Sequence, residues 1–113
     1  LGCYTKIKTG NTKELGKNNR GWIIGPYKDD FLKTAPFEVK AILKKKGVCE
    51  ETTVSNTNVS TMAILAYGKF KLTFNNKELF LENNGDYVFF NPCGHHSVIY
   101  LEDSYVITFR WKN

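Results

Sequence analysis

The sequence is poor in the residues that usually build chemical centres. Its 113 residues include two histidines, three cysteines, three prolines and one methionine. No apolar run approaches the roughly 18 residues that a membrane-spanning helix needs, which argues against an integral membrane protein. No basic start, apolar stretch and small-residue cleavage site mark a secretory signal. Cys3, Cys49 and Cys93 are odd in number and form no Cys-x-x-Cys pair, so a disulfide framework is not expected and a reducing cytoplasm is. Arginine is equally scarce: Arg20 and Arg110 stand against 14 lysines. Nucleic-acid surfaces favour arginine for its bidentate contacts to phosphate and guanine, so the net charge of +5 does not by itself imply a nucleic-acid partner.

What the chain does have is aromatic bulk and regular alternation. Aromatic residues make up 14% and charged residues 24%, a globular composition with material for one core. Residues 1–19 are polar and read as an arm or one weak strand; residues 20–113 read as a single domain. Phe37, Val39, Ala41 and Leu43 alternate with Glu38, Lys40 and Lys44, the period of two of a half-buried strand. The lysines of that segment are expected on a solvated face that discourages edge pairing. Further alternating runs follow at Phe70–Phe74, 78–82, 87–90, 97–101 and 105–111, separated by turn residues such as Asn75-Asn76 and Gly85-Asp86. Eight or nine short strands and no stretch with a sustained 3.6 period predict an all-β sandwich or barrel.

Two segments carry a resemblance to a known family. Gly85-Asp86-Tyr87-Val88-Phe89-Phe90-Asn91-Pro92-Cys93-Gly94-His95-His96 resembles the second motif of the cupin superfamily, with Gly85 and His96 at the glycine and histidine. Pro92 and Gly94 each fall one position late, and Tyr100 stands where that motif has Asn. Upstream, the stretch from Ala63 to Phe70 resembles the end of the first motif, with Gly68 as its closing glycine. The resemblance implies an RmlC-like jelly roll, a cupin-type β-barrel, whose mouth His96 would face. Residues 20–112 are also similar to small single-domain cupin-like proteins of cyanobacteria and their phages. Some of those carry a signal peptidase I label, which these lysines on wet faces do not support.

The same resemblance implies that the family's metal chemistry is lost. Its acidic ligand falls on Thr61 and its first two histidines fall near Ser55 and Thr57. Hydroxyls are poor ligands for divalent transition ions, so no metal and no cofactor is expected. Ser55, Thr57 and Thr61 then become candidate hydrogen-bonding groups for a polar ligand, or simply residues of high β propensity. His96 has three readings: a core histidine, a ligand-contacting or proton-transferring residue, or a metal ligand. Cys93, His95 and His96 form a local cluster, but adjacent residues on a strand point to opposite faces, which disfavours a shared ion. Arg110 faces solvent if the Phe109 and Trp111 face packs inward; if it points inward beside Thr108, it can hold a ligand's carboxylate.

Three functions follow as expectations. The first is a metal-free barrel that binds a small polar or aromatic molecule through Ser55, Thr57, Thr61, His96 and Arg110. The second is a metal-independent isomerase or epimerase with His96 as base and Tyr67 or Tyr100 as acid. The third is a non-catalytic structural protein filled by its own phenylalanines. A homodimer is the expected partner, paired through edge strands as the family implies, with neither nucleic acid nor membrane.

Overall fold

The computed structural model describes residues 8, 10–30, 32–54, 59–74, 76–90 and 94–112. Within them lie one short helix and nine strands: α1 (Thr12–Gly16), β1 (Trp22–Ile24), β2 (Phe37–Lys44), β3 (Cys49–Val54), β4 (Val59–Tyr67), β5 (Phe70–Phe74), β6 (Lys77–Leu81), β7 (Tyr87–Phe90), β8 (Gly94–Tyr100) and β9 (Ser104–Lys112). The strands form a five-stranded sheet in the order β1-β2-β9-β4-β7 and a four-stranded sheet in the order β3-β8-β5-β6. Every strand pairing is antiparallel. The result is one antiparallel β-barrel built from two facing sheets. No helix among the described residues is long and apolar enough to cross a membrane.

Turn chemistry sets the register. Asn76 takes a positive φ of 65° between β5 and β6, a conformation that Asn tolerates better than most residues. After β6, the Asp86 carboxylate accepts the amides of Asn83 and Glu82 at 2.9 and 3.1 Å, which closes the turn into β7. The same two bonds hold its pKa below the ordinary aspartate value. Helix α1 was not legible as a periodic segment, being only five residues long. Its cap is nonetheless conventional: the Asn11 side chain accepts the Lys13 amide at 2.8 Å.

Residues that pair directly across antiparallel strands share a face. Glu38, Lys40 and Lys44 of β2 therefore share the inner face with Ser104, Val106, Thr108 and Arg110 of β9, and with Thr61, Ala63 and Leu65 of β4. Phe37, Val39, Ala41 and Leu43 lie on the outer face. This inverts the expected assignment for β2. Val39 and Ala41 are buried, on the side of the sheet away from the barrel interior, while Phe37 and Leu43 remain exposed.

The barrel is packed at one end only. Leu65, Phe70, Leu72, Leu81, Tyr100 and Val106 form a buried cluster. Farther along the same inner faces the residues become small or polar: Ala63 and Thr61 on β4, Thr108 on β9, Val98 on β8. Those side chains are too short to meet across the sandwich, and the space they leave is a cavity.

Candidate functional site

The cavity has a volume of about 350 Å³. Its walls divide by chemistry. Val59, Ala63, Val88, Phe90 and Val98 provide apolar surface; Thr61, Thr108, Lys40, Arg110, Glu50, Tyr100 and His96 provide polar groups; Trp22 closes part of one side. An apolar lining with a few convergent polar groups is the ordinary constitution of a small-molecule site.

Trp22 organises the cationic side. It stands opposite Lys40 in the β1–β2 ladder, which puts both on the inner face. The Lys40 ammonium lies 5.2 Å from the indole centroid and the Arg110 guanidinium carbon 4.7 Å from it. Both distances fit cation–π attraction. Arg110 also donates to the Glu38 carboxylate at 3.0 Å, its direct partner across β2 and β9. Glu50 accepts from Lys44 and, at 3.4 Å, from the Tyr100 hydroxyl. Burial, then Glu50, push the Tyr100 phenol well above its ordinary range, so it remains a neutral hydrogen-bond donor. Tyr27 meets Trp22 edge-on at 6.4 Å between centroids, and burial with Glu38 raises its phenol likewise.

His96 occupies the opposite wall. It pairs with Thr52 of β3 and Phe74 of β5, stacks on the Phe74 ring at 5.7 Å and meets Phe90 edge-on at 5.3 Å. Its Nδ1 is buried without a hydrogen-bond partner. Burial first, and then the nearby His95, hold its pKa below 6.5. The ring is thus a neutral aromatic wall at neutral pH. The folded state takes a proton less readily than the unfolded chain, so stability falls as the pH drops below about 6.5 and levels off beneath the folded pKa. We expect His96→Phe to flatten that limb. At pH 7.5 it should also stabilise by about 1 kcal/mol, because no buried nitrogen is left unpaired. Urea midpoints at pH 7.5 and 5 test this; equal slopes for both proteins would overturn it.

The candidate residues thus separate. Thr61, His96, Tyr100 and Arg110 share the cavity wall. Tyr67 does not: it is 46% exposed and packs on Tyr105 on the outer face, at 5.9 Å between rings. It cannot serve as the acid partner of His96. Tyr100 lies four residues along β8 from His96, about 13 Å by strand rise, and its hydroxyl is directed to Glu50. Ser55, Thr57 and Cys93 lie outside the described residues. Lys40 and Lys44, expected on a wet face, point inward instead; the indole beside the Lys40 ammonium and the Glu50 carboxylate facing Lys44 make that placement tolerable. The cavity roles of Lys40, Glu50, Val88 and Phe90 were missed. Only the pairing of Trp22 with β2, which the sequence does not reveal, exposes that of Lys40.

The described residues do not fit a transition-metal ion. His95 and His96 diverge to opposite faces of β8, His95 lying 3.8 Å from Glu51 at the surface. Among the described residues no group of three or more His, Cys, Asp and Glu side chains is placed to hold a metal. Thr61 and His96 leave a single imidazole on the wall, too few strong donors for a divalent ion.

No protein-family model matches the chain, and no curated protein matches it. Solved structures do. The cupin domain of an XRE family transcriptional regulator from Enterobacter cloacae is similar with a TM-score of 0.62 and 14% identity, over 69% of this chain and 83% of that one. KdgF from a Halomonas species is similar with a TM-score of 0.60 and 18% identity, over 71% of this chain and 72% of that one. An HTH_3 family transcriptional regulator from Vibrio cholerae gives a TM-score of 0.62 at 14% identity over 69% of this chain, which spans only 44% of that protein. At these identities the likeness is one of fold, and the fold of this chain is that of the cupin domains.

Proposed function

We propose that the protein binds a small polar or aromatic molecule inside its barrel, without a resident metal. The observation that carries this is the cavity itself. An inner face filled by its own phenylalanines would leave no such space. Here the inward positions shrink to Ala63, Thr61 and Thr108 where the polar groups converge. Its volume of about 350 Å³ lies in the range for a small ligand. The separation of His96 from Tyr100 and the outward placement of Tyr67 favour binding over acid–base turnover, which needs both groups within reach of one reacting centre.

The test is a titration of the full chain with neutral aromatic and polar fragments, followed by amide shifts in 1H–15N spectra. Binders should move Ala63, Val88, Val98 and Thr108 together. Ala63→Leu, which fills part of the space with an aliphatic side chain, should weaken them at least tenfold while the rest of the spectrum stays native. Undiminished binding to Ala63→Leu, or shifts confined to the outer surface, would overturn the proposal.

We also propose a second copy of the chain as partner, seated on the outer face of the five-stranded sheet rather than on an edge. Across β2, β9, β4 and β7 that face presents Phe37, Leu43, Trp111, Phe109, Ile107, Met62, Ile64, Tyr87 and Phe89, with no charged residue among the paired positions. Phe37, Leu43, Tyr67, Tyr87 and Phe89 are each 40–63% exposed. At roughly 200 Å² per large side chain these five offer about 500 Å². The partly exposed residues between them add to that area, toward the ~800 Å² that each partner of a stable dimer buries.

A further inference from the structure

Lys40 is a cation of the cavity wall with no carboxylate partner of its own among the described residues. Three cations, Lys40, Lys44 and Arg110, sit on the inner faces of β2 and β9, against the two carboxylates Glu38 and Glu50. Glu38 is engaged by Arg110 and Glu50 by Lys44. Among the described residues no carboxylate lies within ion-pair distance of Lys40, whose ammonium has the Trp22 π-face as its favourable contact. Burial, reinforced by Lys44, Arg110 and Arg20 and opposed by Glu50, holds Lys40 below the ordinary lysine pKa. A cation removed from water without a counter-charge is costly, and the cost is relieved by whatever anion enters beside it.

The surroundings define that anion. Arg110 shares the Trp22 indole with Lys40, and its guanidinium has more donors than the Glu38 contact uses. Both cations contact one indole, and an acid group that bridged them would meet a forked and a point donor. The Thr61 and Thr108 hydroxyls lie on the same wall, and Val88 and Phe90 provide flat apolar surface beyond. A single unpaired ammonium beside an engaged guanidinium suits a ligand with one acid group.

We propose that the cavity takes a small organic carboxylate, its acid group seated between Lys40 and Arg110 beside Trp22 and its apolar or aromatic body against Val88 and Phe90. This rests on the binding function proposed above and names its ligand class.

Four phenyl probes test it: benzoate, neutral benzamide and cationic benzamidine, which share one size, and the larger dianion phenyl phosphate, each titrated into the full chain at neutral pH with amide shifts as readout. Benzoate should bind at least tenfold more tightly than benzamide. Lys40→Met should remove the advantage of benzoate over benzamide, so that the two bind about equally. Lys40→Arg, which keeps the charge, should recover most of the loss. Benzamide binding as well as benzoate would overturn the carboxylate assignment and leave the binding cavity standing. Benzamidine or phenyl phosphate binding more tightly than benzoate would overturn it too. If none of the four moves the lining amides, both the ligand class and the cavity function fall.

Discussion

Gly68→Ala is expected to destabilise the barrel by about 3 kcal/mol or more, and Gly85→Ala by only about 1 kcal/mol. Both glycines have positive φ, 106° and 92°, so both substitutions force an L side chain into a strained backbone region. They differ in what the added methyl meets. At Gly85 nothing lies within 4 Å. At Gly68 the methyl runs into the backbone and hydroxyl of Ser104 and the carbonyl of Asp103. Those atoms have little room to yield. Ser104 is 1% exposed; its hydroxyl accepts the Lys69 amide at 3.0 Å and donates to the Glu102 carbonyl at 2.8 Å. Moving Ser104 away opens the junction that joins the β4–β5 turn to the start of β9 at the packed end of the barrel. In a domain of this size the Gly68 loss corresponds to a melting point lower by roughly 10–20 °C. Urea denaturation of the two variants decides the matter. Equal losses would show that the close approach of the two turns is not part of the native structure.

The contrast between these glycines also shows how far the sequence could be read. Both are recognisable as positions where a strand gives way to a turn: Gly68 ends the apolar run from Thr61 to Tyr67, and Gly85 lies in the turn Asn83-Asn84-Gly85-Asp86. The crowding at Gly68 comes from Ser104, which lies 36 positions away in the sequence. The strands behaved in the same way. Alternation over Phe37 to Leu43 located β2 correctly, since a period of two is a local property. It could not say which face was the interior, because the outer face is as apolar as a core. Lys40 reads as solvent-facing in the sequence because it shares its strand parity with Lys44 and Lys46, and lysines on one face ordinarily mark the wet side. That rule yielded to Trp22, whose three-residue strand pairs with β2 through a register shift and brings an indole under the charge. Arg110 has two readings that depend on the same choice of face, and the β2–β9 and β4–β9 registers put it on the inner face with Thr108, its side chain 44% exposed. Helix α1 left only its Asn11 cap as a signal, since a single turn cannot display a 3.6 period.

The outer face leads to the second large effect. Replacing both Tyr87 and Phe89 by Lys should weaken self-association at least a hundredfold while leaving the fold intact. The two residues are 63% and 51% exposed on β7, at one border of the apolar face, so neither supports the interior of the barrel. Phe89 stands opposite Met62 and packs against Trp111 at 6.1 Å between rings; Tyr87 stands opposite Ile64. Together they continue the apolar surface of β4 and β9 to the sheet border. Two lysines there would add like charges to both copies of a self-complementary interface, in a chain that already carries +5. A hundredfold change is about 2.7 kcal/mol, within the range of truncating interface anchors, and desolvating the added ammonium groups acts in the same direction. Sedimentation velocity at tens of micromolar should give the wild type twice the 12.9 kDa chain mass and the double variant once that mass. A monomeric wild type, or a double variant that remains dimeric, would overturn the assignment of this face to a second copy. Tyr87→Phe provides the matching control: it keeps the apolar ring, and a dimer held by this surface should survive it.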